Sequence, residues 1–243
     1  MKTKIKKIIK KSYSQIAEGK SSCGCSCNSK EKIAEEIGYT KKEIKNLSEA
    51  NLGLGCGNPV ALSKLKKGDI VVDFGSGAGF DAFLSANKVG KTGKVVGIDM
   101  TKKMIEKAKA NAKKYNYKNV EFKLGDIENV PLPNNFADVV ISNCVINLAP
   151  DKDKVFAEAY RILKKGGRIY VSDIVLLDKL TDEQKKNNKL LVGCVAGALQ
   201  KKDYIKKIEN VGFKIKILGE DKGISKKQYS GIALESLKVE GVK

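Results

Sequence analysis

Cysteine is the residue type with the most chemistry to offer in this chain, and histidine is absent. The six thiols stand at Cys23, Cys25, Cys27, Cys56, Cys144 and Cys194. Zinc ribbons announce themselves by C-x₂₋₄-C pairs. Here Cys23-Gly24-Cys25-Ser26-Cys27 alternates with single spacers and the other three are scattered, so no ribbon is expected. A set of thiols with no imidazole to share the work suits a soft, thiol-seeking element. The competing assignment is structural, because free cysteine is commonly buried as a small hydrophobe.

A second constellation lies in Val71-Val72-Asp73-Phe74-Gly75-Ser76-Gly77-Ala78-Gly79-Phe80. It reads as a buried strand turning into a helix, with glycines that let a ligand approach the helix N-terminus. Asp99 follows at the end of the next strand, where a carboxylate can accept both hydroxyls of a ribose. Asp126, in Gly125-Asp126-Ile127 after a third strand, can accept from an adenine amino group. The three fall in chain order at the carboxyl edge of adjacent strands. The spacing G-x-G-x-G differs from the dinucleotide G-x-G-x-x-G, which leaves an NAD-binding domain as a weaker alternative.

The elements that must position these groups are legible from periodicity. Ile5, Ile8, Ile9, Tyr13 and Ile16 predict a helix over residues 1–19, and a short helix is expected over 31–37. Thr40 with Glu43 forms a capping-box pattern. Residues 51–59, Asn-Leu-Gly-Leu-Gly-Cys-Gly-Asn-Pro, are too rich in glycine for regular structure. Strands are expected at 70–74, 94–98, 120–124, 138–142 and 168–174, with helices at 79–88, 101–116 and 151–164. Thr101 should cap the second of these helices, and Lys164-Lys165-Gly166-Gly167 should end the third. The tail, 213–218 and 231–239, reads as two strands joined by a short connection. The expected fold class is α/β: a Rossmann-like, mostly parallel seven-stranded sheet with an antiparallel C-terminal hairpin and an N-terminal helical segment. Three segments are expected: 1–58 covering the site, 59–178 as ligand-binding core, and 179–243 carrying Cys194, the last helix and the closing strands.

At 243 residues and 42% hydrophobic content, a sizeable core is expected. No apolar run approaches a membrane span, and the basic N-terminus lacks a secretion signal, so a cytoplasmic protein is expected. The formal charge is +19, yet of 47 basic residues only Arg161 and Arg168 are arginines. Bidentate phosphate and guanine recognition favours arginine. A solvated lysine surface, with no specific nucleic-acid partner, is therefore expected.

The ordered set Asp73, Gly75-Ser76-Gly77, Asp99 and Asp126 resembles class I S-adenosylmethionine-dependent methyltransferases. Leu163-Lys164-Lys165-Gly166-Gly167-Arg168 matches that family's signature before the fifth strand. Three further stretches are similar to the arsenite methyltransferase family, of the short prokaryotic type. They are Asn51 to Pro59 around Cys56, Ile141-Ser142-Asn143-Cys144-Val145-Ile146-Asn147-Leu148, and Gly193-Cys194-Val195-Ala196-Gly197-Ala198. Asp99-Met100-Thr101 extends the match.

The resemblance implies methyl transfer from S-adenosylmethionine to arsenite and then methylarsenite, for arsenic detoxification. It places trivalent arsenic on Cys56, Cys144 and Cys194. The cofactor falls to Asp73, Gly75, Ser76, Gly77, Asp99, Met100, Asp126, Ile127 and Asn143. Thiols lowered in pKa by nearby positive charge are expected to serve as arsenic ligands. Each transfer formally oxidises arsenic, so a thiol reductant, thioredoxin or glutathione, is required, with Cys27 or its neighbours as resolving thiol. A monomer is expected. Two alternatives stay open: a methyltransferase for another small molecule or RNA with structural cysteines, and a non-catalytic thiol-based sensor.

Overall fold

The computed structural model describes residues 2–21, 29–229 and 231–243. Cys23, Cys25 and Cys27 lie outside the described residues. The N-terminal part is helical: α1 (Lys2–Ala17), α2 (Lys30–Glu36), α3 (Lys41–Asn46) and α4 (Pro59–Leu62). α1 buries Ile9 and Ile16 as its period predicts, and Ile16 packs on Met104. Each such side chain contributes roughly 1.5–3 kcal/mol by leaving water. The Thr40–Glu43 capping box forms in both directions. α4 was not foreseen: Pro59 occupies its first turn and Asn58 caps it by accepting from the Ala61 amide.

The core then alternates: β1 (Ile70–Phe74), α5 (Phe80–Val89), β2 (Lys94–Asp99), α6 (Lys102–Lys114), β3 (Val120–Leu124), β4 (Ala137–Asn143), α7 (Lys152–Ile162) and β5 (Leu163–Leu176). After β5 come α8 (Asp182–Lys186), α9 (Asn188–Val192), α10 (Lys201–Asn210), β6 (Lys214–Asp221), α11 (Gly223–Gln228) and β7 (Leu234–Val242). The seven strands form one sheet in the order β3-β2-β1-β4-β5-β7-β6. The first five are parallel, and β7 runs antiparallel to both β5 and β6. Apolar side chains cover both faces of the central strands, hence their unbroken Val/Ile runs.

Three local expectations need correction. Thr101 stands at the N-cap of α6, but its side chain makes no capping bond; the Asp99 carboxylate takes the Thr101 amide instead. α7 closes at Ile162, so Lys164 to Gly167 begin β5 rather than end the helix. Leu163 already pairs with Ala137 of β4, and the pull of that ladder stops the helix early. The C-terminal strands are not joined by a short connection. α11 intervenes, and β7 starts at Leu234, where it pairs with Leu176.

Candidate active site

The carboxyl ends of β1, β2 and β4 open onto a cleft lined by residues at all three. Gly75 and Gly77 line it, both with positive φ. A Cβ on Gly75 would strike Val145 at 2.4 Å, so the turn can carry no side chain there. At Gly77 it would meet nothing within 4 Å and would project into free space. Asp99 sits beside the turn. One carboxylate oxygen accepts from the Gly77 amide at 3.1 Å and the other from the Thr101 amide at 2.8 Å. The Thr101 side chain also hydrogen-bonds the carboxylate, and a lone pair remains for a ligand hydroxyl. Met100, Asp126 and Ile127 also line the cleft.

A smaller annex, lined by Asp73, Ser76 and Asp81, joins the cleft at Gly75, Gly77 and Asn143. It collects buried carboxylates. Burial, then the charges of Asp81 and Asp99, push Asp73 well above the usual carboxylate range. Burial likewise pushes Asp81 up to about 6, against hydrogen bonds from Tyr39 and Asn143 that act to lower it. One oxygen of Asp73 and the Ser76 hydroxyl are buried with no hydrogen-bond partner among the described residues. Buried polar atoms are normally satisfied. Crowded acids with orphaned acceptors fit a cationic ligand.

Asn143 lines the cleft and also has a structural task. Its amide nitrogen donates to Gly57 O, the Tyr39 hydroxyl and Asp81, and its oxygen accepts from the Cys56 amide at 3.1 Å. The side chain thereby ties the Cys56 loop to the end of β4. A Cβ on Gly55 would come within 2.9 Å of this amide, which accounts for the glycine before Cys56.

The three buried thiols come together. Cys144 and Cys194 line the cleft. The Cys56 and Cys144 sulfurs and a carboxylate oxygen of Asp173 all lie within 4.8 Å of one another. The Cys194 thiol donates to the Cys144 carbonyl at 2.7 Å. Cys144 (φ 56°) and Cys194 (φ 68°) both adopt the left-handed conformation. Non-glycine residues rarely hold it, and such strain gathers at functional sites. The loop bearing Cys194 presses directly on the chain after Cys144: a Cβ on Gly197 would fall 2.1 Å from Asn147 O.

The expected thiolates are not what the pocket favours. Burial raises the Cys56 pKa. A hydrogen bond with Cys194 acts to lower Cys144, but the bond with Cys56, burial and nearby negative charge outweigh it and leave the thiol well above its usual value. The bond with Cys144, then burial, push Cys194 well up too. Lys152, the buried ammonium nearby, is itself lowered by burial. The resting site is three neutral thiols.

Four groups here were missed. Lys6 of α1 reaches Asp126 at 2.6 Å and Glu128 at 2.7 Å, so α1 is pinned over the cleft and engages the predicted adenine acceptor. Nothing in the local sequence marks this. Tyr39 and Asp81 escaped because an acid in a helix's first turn ordinarily serves the helix dipole. Asp173 left a readable signal: one charge inside the apolar run of β5. It is fully buried, holds Asn147 at 3.0 Å and Tyr204 at 2.9 Å, and burial pushes it up to about 7.

A doubly covered sheet with this strand order, a glycine turn after β1 and an acidic end to β2 define the class I, Rossmann-like methyltransferase fold. A methyltransferase domain matches residues 65–212. The crystal structure of an arsenic(III) S-adenosylmethionine methyltransferase from Chlamydomonas reinhardtii superposes with a TM-score of 0.68 at 30% identity, over 90% of this chain and 75% of that one. An arsenite methyltransferase of Halobacterium salinarum is 40% identical over 222 residues, 86% of this chain and 57% of its own length. The human arsenite methyltransferase is 40% identical over 152 residues, 59% of this chain and 40% of its own length. The chain belongs to the arsenite methyltransferase family. It spans about half the length of the curated relatives it matches.

Proposed function

We propose that this chain transfers the methyl group of S-adenosylmethionine to trivalent arsenic, first arsenite and then methylarsenite. One observation carries the reading: three buried thiols from three distant segments converge, and two of them line the same cleft as the glycine turn and Asp99. The cofactor residues fit. Asp99 offers the ribose its remaining lone pair. The orphaned oxygens of Asp73 and Ser76 suit the ligand's positive charges, and Gly77 leaves room for it. When bound, S-adenosylmethionine supplies a methyl group activated by its sulfonium charge.

The neutral thiols suit a neutral substrate. Three thiols and arsenous acid give a trithiolate complex and three waters, so no charge is created in the buried pocket. Arsenic prefers sulfur to oxygen, which drives the exchange. The product is a pyramidal centre whose lone pair needs no general base. The residues' remaining work is to orient it and exclude water, and alignment contributes about 7–11 kcal/mol of barrier lowering. Each transfer takes two electrons from arsenic. A dithiol returns them on becoming a disulfide, with thioredoxin or glutathione as final reductant and Cys27 as resolving thiol. Segment 1–58 covers the site, 59–178 binds cofactor, and 179–243 supplies Cys194 and completes the sheet. No helix among the described residues is long and apolar enough to cross a membrane; we place the protein in the cytoplasm, as a monomer.

The test is methyl transfer to arsenite with a thiol reductant, the arsenic species being separated afterwards. Methylarsenicals are expected; methylation of RNA or another acceptor, with none on arsenite, would overturn the reading. A pH dependence follows from the annex. Asp81, at about 6, is ionised above that pH, and a bound cation favours the ionised form. Cofactor affinity therefore rises as pH increases through 6. A one-unit drop of that carboxyl on binding corresponds to about a tenfold gain. Calorimetric affinities that stay level between pH 5 and 7, window limits of roughly one unit on either side, would refute the assignment.

A further inference from the structure

The arsenic reading uses three sulfurs and leaves Asp173 without a task, yet this carboxylate is the best-prepared group in the pocket. It is fully buried. One oxygen accepts from the Asn147 amide at 3.0 Å and the Ile174 backbone at 3.1 Å, the other from the Tyr204 hydroxyl at 2.9 Å. A carboxylate clamped this way matches the outer-sphere bonding that orients metal-ligating acids. One of its oxygens and the sulfurs of Cys56 and Cys144 lie within 4.8 Å of one another, and Cys144 opens onto the cleft.

Trivalent arsenic has no need of an oxygen donor once sulfur surrounds it. A divalent cation that takes mixed sulfur and oxygen ligands in a four-coordinate shell does. We propose that Cys56, Cys144 and Asp173 form a site for one borderline-soft divalent cation of the zinc class. The fourth position faces Cys194 or the cleft. On binding, each ligating thiol gives its proton to solvent, and the cation offsets the thiolate and carboxylate charge. Two of the donors are shared with arsenic, so zinc and arsenite compete; this competition rests on the arsenic reading, whereas the cation site does not.

The experiment uses the reduced full chain with Cys23, Cys25 and Cys27 replaced by serine, which removes thiols outside the pocket. Zinc is titrated against a chromophoric chelator, and X-ray absorption at the zinc edge reads the ligand shell. One zinc per chain is expected, with two or three sulfurs at about 2.3 Å and an oxygen at about 2.0 Å. An all-sulfur or all-oxygen shell overturns the proposal, and this readout needs no pocket variant. Asp173→Asn keeps the shape and the Asn147 contact; it should weaken zinc at least about tenfold while arsenite affinity stays within about threefold, a small change beside the loss of a sulfur ligand. Unchanged zinc affinity in that variant also overturns it. Arsenite should displace the bound zinc. Arsenite that neither binds nor displaces, beside the expected zinc shell, would support the cation site and remove the arsenic reading.

Discussion

Serine at Cys144 or Cys194 reduces turnover of inorganic arsenite at least about a hundredfold, which is about 2.7 kcal/mol of lost transition-state stabilisation. The exchange deletes one soft donor and little else. Serine has the same shape, can hold the left-handed backbone both cysteines adopt, and puts a hard oxygen where sulfur had been. Affinity for S-adenosylmethionine should stay within about twofold, since the exchange leaves Asp73, Ser76, Gly77 and Asp99 unaltered. Turnover at the parent rate in either variant would remove the three-thiol site. Cys56→Ser separates the two steps. Methylarsenite needs only two thiols, and Cys144 and Cys194 are joined directly by the thiol-to-carbonyl hydrogen bond. That variant should lose arsenite turnover and keep methylarsenite turnover; equal loss on both would refute the division.

Asp99→Ala weakens S-adenosylmethionine binding by about 1.5–3 kcal/mol, the range for losing an ionised hydrogen-bond partner. The same carboxylate also anchors the glycine turn through Gly77 and the start of α6 through Thr101. Asp99→Asn separates these roles, because its one carbonyl oxygen preserves a backbone contact while the charge is gone. Binding by calorimetry should rank parent, Asn and Ala in falling order. Arsenite affinity should be level across the three, as Asp99 bonds to Gly77 and Thr101 and not to the thiols. Parent-like cofactor affinity in the alanine variant would mean the ribose lies elsewhere.

Much of the framework was legible because its signals are local. β1, β2 and β3 fall where runs of Val, Ile and Phe put them, and Gly75 and Gly77 mark the turn. Cys56, Cys144 and Cys194 stood out by type and setting. The misplacements have a shared cause. β5 begins five residues early and β7 three residues late relative to the patterns at 168 and 231, because their limits are set by pairing with β4 and with each other. Asn143 was legible as a cleft residue, and only its Tyr39, Asp81 and Cys56 partners show that it also ties the Cys56 loop down.

The sequence by itself determined which elements form, their order, and which residue types stand at the carboxyl ends of the strands. Periodicity and turn chemistry act over a few residues and need no partner. The tertiary structure decided how those residues behave. It brought Cys56 to Cys144, set Asp173 behind them and drew Lys6 across to Asp126. It also reversed the expected ionisation of the thiols. Desolvation and Coulomb interaction depend on distance and burial in space, and residues remote along the chain supply nearly all of both.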